Sequence, residues 1–408
     1  MNPLTLRRVA IDYSEKELAS VDPDISVRNG MDELELPDLR NAKIAVASGS
    51  RGVACSVAVI KALVDALRGR GALPFIVPAM GSHGGATAEG QKAVLAGYGI
   101  TESAVGAPIR SSMETLELDS TGIESRIFVD RNAWEADYVV PVNRIKAHTD
   151  FISTHESGLA KMLVVGLGKH DQAKEQHSYG IRGLRDLLVP AARRIIESGK
   201  VLYGIAIVEN VRKDPSVVEL IPPEKMISRE AELLALAKRL TPKLPADTFD
   251  LLIVDEMGKD KSGTGLDTNV IGRRFLPGEE EPKLPDIAIV VVRRLSHASH
   301  GNALGVGLAD IVLRELADSI DFPATYENIA TSSFLERGKL PVVAESDAEA
   351  LFYAARALHV DDGFGIGAMH IDSTLDLERV GLTDPLFESV LASGRCTDLN
   401  RTYNYPGS

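Results

Sequence analysis

Two hydrophobic rhythms alternate along the first half of the chain. Short continuous apolar runs, Lys43-Ile44-Ala45-Val46-Ala47 and Leu73-Pro74-Phe75-Ile76-Val77, predict buried strands. Between them Ala54 to Arg68 carries the apolar period of a helix and stops at Gly69-Arg70-Gly71. Thr87 is placed to cap a further helix that runs to about Gly97, with Glu89 in its first turn. Asp137 to Val142 predicts a strand, Gly183 to Ser198 a helix, and Tyr203 to Val208 another strand. Strand–helix alternation of this kind argues for a mostly parallel, doubly wound α/β sheet.

A predicted helix from Ser228 to Arg239 ends at Leu240-Thr241-Pro242-Lys243-Leu244-Pro245, where two prolines mark a boundary. Two strong strands follow, Leu251 to Val254 and Ile287 to Val292, separated by a Gly- and Lys-rich loop and an acidic, Pro-rich stretch, Pro277 to Pro285. A helix is expected from about Ala309 to Ala317, and Asp361-Asp362-Gly363-Phe364-Gly365 reads as a turn. The expected architecture is two-domain α/β. Residues 1–245 form a larger N-terminal, cofactor-binding domain and residues 246–408 a smaller C-terminal α/β domain, whose last segment is free to pack back on the first. The active site is expected in the interdomain cleft, at the carboxyl ends of strands.

Composition narrows the function. The chain has 408 residues, 44% of them hydrophobic, and a formal net charge of −13. That field disfavours nucleic acid and anionic membranes, so neither is an expected partner. No apolar run is long enough for a membrane span, and the first residues do not read as a secretory signal. With Cys55 and Cys396 as the only cysteines, neither an iron–sulfur cluster nor a Cys-rich zinc site is available, and a cytoplasmic enzyme is the default expectation.

The chemistry concentrates after the Val142 strand. Of nine histidines, four (His148, His155, His170 and His177) fall within 30 residues. Imidazole moves protons near neutral pH and binds borderline metals, so this stretch is a candidate site. Taken by composition alone, it also suits a metal-dependent hydrolase or lyase using His148, His155 and Asp150, although no His-Glu-x-x-His helix is present. Two further loops sit between a strand and a helix. Gly81-Ser82-His83-Gly84-Gly85 lets backbone approach a ligand, and Ser48-Gly49-Ser50-Arg51-Gly52 offers amides and a guanidinium to a phosphate or carboxylate.

Ser157-Gly158-Leu159-Ala160-Lys161, with His177 sixteen residues beyond the lysine, resembles the lactate racemase family, which carries a nickel-pincer nucleotide. The resemblance runs in order from about Ser48 to Asn302 and suggests a shorter relative. It implies that Lys161 tethers the nucleotide through a thioamide and that His177 is the protein ligand to nickel, completing a square plane. It further implies that His83 and His148 are the acid/base pair, with His155 competing for the second place. Ser48, Arg51, Ser157 and Gly158 would hold the cofactor. Arg51, Arg273, Arg274 and Asn302 would hold substrate, with His300 near them. Enzymes that make the nucleotide would be partners.

Where the family's lactate enzymes have Gln and Lys after a Leu-Asp-x-Asn core, this chain has Gly272 and Phe275, which points to a 2-hydroxy acid other than lactate. The implied reaction is racemisation or epimerisation by hydride transfer. The alternatives are the metal-dependent hydrolase and a non-catalytic nucleotide-binding protein of the same fold.

Overall fold

The computed structural model describes residues 3–49, 52–332, 334–360 and 365–406. The fold is α/β and divides into two compact units. One is Lys16–Thr241, and the other joins Met1–Glu15 to Pro242–Ser408. The sequence boundary at 245 made no provision for a first strand that leaves its own half of the chain.

Lys16–Thr241 is built on a five-stranded sheet. Its order is Leu73–Pro78, Lys43–Ser48, Tyr138–Arg144, Gly204–Glu209, Pro215–Ile221. The first four strands are parallel and the last is antiparallel. Apart from their first residues, Lys43–Ser48 and Leu73–Pro78 are buried throughout, as strands covered on both faces must be. Ile44 and Val46 point to one face, where they meet Val27, Met31, Val59 and Leu63 from the helices Pro23–Glu33 and Ser56–Gly69. Ala45 and Ala47 point to the other, against Leu159, Leu163, Leu188 and Leu233. Small residues on that face let the segment carrying Lys161 lie close to the sheet.

The expected helix from Gly183 to Ser198 is two helices, Ile181–Arg185 and Leu188–Glu197. Pro190 explains the break. It has no amide proton, and its ring would clash with the carbonyl four residues back, so one helix cannot run through Asp186.

The other unit has an eight-stranded sheet. Val342–Ala344, Ile311–Leu313, Asp286–Leu295, Thr248–Met257 and Ala368–Ile371 run parallel; Arg379–Leu382, Leu4–Ile11 and Cys396–Tyr405 continue it antiparallel. The final strand therefore pairs inside this unit's sheet. The helix expected from Ala309 is corrected. Ile311–Leu313 is a fully buried strand paired to Val291 and Val292, and helix begins only at Arg314. A β-branched, apolar run next to a sheet is better satisfied by ladder bonds than by one apolar helix face. Of the turn expected at Asp361–Gly365, residues 361–364 lie outside the described residues. Cys55 and Cys396 are buried, unbridged thiols. Among the described residues no helix is long and apolar enough to cross a membrane.

Leu6 lies fully buried in the strand that sits between Arg379–Leu382 and Cys396–Tyr405. Leu6→Ala is expected to destabilise this unit by about 3 kcal/mol, from lost burial plus the cavity left behind. The shift in its urea-unfolding midpoint measures this.

Candidate functional site at the carboxyl ends of the parallel strands

In Lys16–Thr241 the chain order of the strands reverses between Lys43–Ser48 and Tyr138–Arg144. At such a switch point the loops after the strands diverge and leave a crevice. A pocket of about 130 Å³ opens there. Gly49, Met80, His83 and Asn143 line it from the ends of three adjacent strands, and Ser157, Lys161, Met162 and Gly166 from the segment that follows.

His83 stands on the loop after Leu73–Pro78, exposed and on the pocket rim. Positive φ angles at Gly81, Gly84 and Gly85 turn this loop back into the helix Ala88–Gly97, which Thr87 caps through the Gly90 amide. Gly90 is a glycine by necessity, since a Cβ there would lie 1.9 Å from the Gly84 carbonyl oxygen. Ser48 ends the strand Lys43–Ser48, buried, and its carbonyl accepts the Ala79 amide at 2.7 Å. Arg51 lies outside the described residues.

Residues 146–157 form a closed loop, pinned at its neck by a reciprocal main-chain bridge between Lys146 and Ser157. Inside it the buried Glu156 carboxylate accepts the His148 amide at 2.6 Å and the Ser153 amide at 3.0 Å. Lys238, from the helix Pro223–Leu240, pairs with the same carboxylate at 2.5 Å. His148 is thereby set on the lysine. Its Nε2 lies 2.5 Å from Lys161 Nζ, its Nδ1 accepts the Asp150 amide at 3.0 Å, and its ring packs against Phe151 at 4.6 Å between centroids. His155 points elsewhere: its ring nitrogens bond to the Ile227 carbonyl at 2.7 Å and to Thr154 Oγ1 at 3.1 Å. His170 is exposed.

Lys161 closes a single helical turn, Leu159–Lys161, which widens into the π-helical stretch Met162–Gly166 before the helix Lys169–Ser178 that bears His177. Such π-bulges are frequent at functional sites, because one extra residue per turn re-aims the side chains around it. Burial holds the His177 imidazole below its usual range, and the Lys161 charge adds to this, with Asp150 opposing. A neutral imidazole keeps a lone pair for a metal.

The start of this segment has a second buried acid. Glu230 Oε2 accepts the Ala160 amide at 2.8 Å, capping the turn from another helix. A Cβ on Gly158 would stand 2.4 Å from Glu230 Oε1, so a side chain there would have to displace the carboxyl that caps the turn. The Gly158 carbonyl also accepts from Asn143 Nδ2 at 2.7 Å. Glu156, Lys238 and Glu230 were not anticipated from the sequence. A Glu inside an otherwise amphipathic helix carries no mark of burial until its partner is known.

The residues expected to hold substrate from the other unit have structural employment. Arg273 pairs with Asp310 at 2.6 Å and donates to the Leu308, Ile287 and Ala288 carbonyls. Arg274 is buried, donates to Asn269 Oδ1 at 3.2 Å, and gives its carbonyl to Arg337. Asn302 donates to the Ala324 carbonyl and accepts the Leu304 amide, so it shapes its own loop, while His300 is exposed in a left-handed conformation beside it. Gly272 ends the short helix Thr268–Ile271 at φ 68°, and a Cβ there would lie 2.0 Å from the Pro285 carbonyl oxygen. The backbone thus requires a glycine at this position. Among the described residues no group of three His, Cys, Asp or Glu side chains is arranged to hold a metal ion.

Fold and site together define an α/β protein with a lysine–histidine centre at the switch point of a doubly wound sheet. The family described as Domain of unknown function (DUF362) matches residues 41–258, more than half of the chain, and the chain belongs to it. No curated protein matches. Among solved structures the chain is similar to the lactate racemase apoprotein from Thermoanaerobacterium thermosaccharolyticum, with 11% identity and a TM-score of 0.47, over 88% of this chain and 99% of that one.

Burial pushes the Glu230 carboxyl up to about 7, with the Ala160 and Leu159 amides opposing. The folded chain therefore holds this proton more tightly than the unfolded chain. The stability it contributes is present below the ordinary value of 4.5 and is lost as the pH rises through about 7. Glu230→Gln is expected to flatten that loss: similar unfolding midpoints at pH 5, and a higher midpoint than the natural chain at pH 8.

Proposed function

We propose that this chain is a racemase or epimerase of a 2-hydroxy acid that works with a nickel-pincer nucleotide held at Lys161. The observation that supports the reading best is the grouping of His83, Ser157 and Lys161 on one pocket, with His148 hydrogen-bonded to the lysine amine. A protein-only metal site is a poorer account, because His155 is occupied away from His148 and no three-ligand cluster occurs among the described residues.

The donor set suits the nucleotide. Lys161 lines the pocket, and its amine would make the thioamide tether. His177, kept neutral by burial, would ligate nickel through one ring nitrogen. When bound, the nucleotide supplies a hydride acceptor that can give the hydride back.

The rest of the work falls to the chain. A hydroxyl is hard to deprotonate, so a base must take its proton as the Cα–H bond breaks. His148 serves one face of the substrate and His83 the other, and inversion needs both. Arg51 is the cation assigned to the carboxylate.

Co-expression with the enzymes that make the nucleotide tests this. Intact mass and metal analysis are expected to give nickel and an adduct on the peptide containing Lys161, with interconversion of the two configurations of a 2-hydroxy acid. Lys161→Ala should lose the adduct and His177→Ala the nickel. His83→Ala and His148→Ala should each keep nickel while turnover falls about 100-fold or more. Zinc, or no metal, on a chain with unmodified Lys161 would overturn the reading.

A further inference from the structure

His83 sits on a loop that its own main-chain bonds, from His83 to Met80, Ala86 to Ser82 and Thr87 to Gly84, hold only in part. Gly81, Gly84, Gly85 and Ala86 all have positive φ, so the segment has several alternatives of similar local energy. Its carbonyls, which lie just beyond the end of a parallel strand, have no ladder to join. Those of Gly81 and His83 are met instead by Gln91, which is tied to Lys169; both side chains are fully buried and no catalytic role has absorbed them. Gln91, on the helix Ala88–Gly97, donates from Nε2 to the Gly81 carbonyl at 2.8 Å and to the His83 carbonyl at 3.3 Å. Gln91 Oε1 in turn accepts from Lys169 Nζ at 3.1 Å, and the same ammonium donates to the Pro78 carbonyl at the root of the loop. Asp130, also fully buried, pairs with it at 3.1 Å.

Lys169 opens the helix that bears His177, and it does so at φ 54°, an unfavourable conformation for a residue with a Cβ. Burying an ammonium–carboxylate pair is costly, and apolar replacements of similar volume are often as stable. Stability alone does not account for a strained, buried lysine. Geometry does: one nitrogen ties the helix of His177 to the loop of His83, and Gln91 carries that tie to the His83 peptide itself. Gly166 adds a direct link, its carbonyl accepting the Gly81 amide at 3.2 Å.

We propose that Gln91 and Lys169 are positioning residues for His83, a clamp that holds this histidine at a fixed place relative to the Lys161–His177 segment. The proposal deepens the acid/base reading of His83, and its catalytic consequence rests on that reading. Its structural core does not.

Gln91→Met and Gln91→Glu separate the parts. Glutamate keeps the acceptor for Lys169 and loses both donors to the loop; methionine keeps the volume and loses everything polar. The full chain without cofactor is labelled with carbon-13 at histidine Cε1, and His83 is assigned by its absence in His83→Gln. In both variants, folded by circular dichroism, the His83 resonance is expected to broaden or split through microsecond-to-millisecond exchange, while the His155 and His370 resonances stay as they were. In cofactor-loaded protein, kcat should fall about tenfold or more with KM within about twofold. A His83 resonance that stays single and narrow in either folded variant overturns the clamp. So does equal broadening of His155 and His370, which marks general loosening. If neither variant folds, the network is a folding element and the positioning role is rejected. An inactive loaded wild-type chain with a broadened His83 in the variants would sink the racemase reading and leave the clamp standing.

Discussion

A parallel sheet ends its strands together and leaves the backbone beyond them without ladder partners, yet function needs that backbone to be still. Here buried polar side chains, from neighbouring helices and from the His148 loop itself, supply the missing partners. Glu156 takes the amides of His148 and Ser153, Glu230 takes the amide that starts the Lys161 turn, and Gln91 takes the carbonyls of the His83 loop. Each is buried; Glu230 and Gln91 reach across from helices, while Glu156 closes the loop that carries His148 and is itself met by Lys238. A buried polar group left unpaired costs free energy, so the Glu230 and Gln91 contacts, and Lys238 through Glu156, couple the folding of a helix to the geometry of a loop.

That coupling explains how a small pocket can collect its side chains from distant stretches. The Ser157–Ser178 segment brings lysine, a π-helical widening and a neutral histidine in succession. The sheet gives it a flat seat through Ala45 and Ala47. The helix Pro223–Leu240 serves the segment twice, through Glu230 at the Lys161 turn and through Lys238, which neutralises Glu156. The pH dependence of Glu230 follows from this placement: a carboxyl asked to cap a helix inside the core is there at the expense of its own ionisation.

The other unit is stabilised differently. Its parallel strands carry an antiparallel extension completed by the first and last strands of the chain. His370 bonds Tyr403 on that last strand and Asp255 on a parallel one, and Arg293 pairs with Asp255 and Asp347, so ion pairs and aromatic rings tie the two halves of the sheet. Arg273 and Asn302, which the sequence offered as substrate ligands, are used in the same way, to hold loops. A positive or amide side chain near a glycine-rich loop reads alike whether it binds a ligand or a carbonyl.

What the sequence determined by itself is what local pattern can carry. Continuous apolar runs marked the strands of the doubly wound sheet and Thr87 marked a helix start, while the pocket itself is lined by Lys161 and by His83 from a separate loop rather than by the clustered histidines. The sequence missed Leu4–Ile11 because its apolar pattern is weak alone and its partners lie almost the whole chain away. It also assigned helix to Ile311–Leu313, where the sheet edge offered ladder bonds that no local window contains. Between His148 and His155 the residue types are equal; tertiary structure separated them by placing Ile227 against one and Lys161 against the other. Burial of Glu230, Glu156, Gln91 and Lys169 was decided only in three dimensions, because a polar side chain acquires its meaning from partners far along the chain, and hydrophobic periodicity is blind to them.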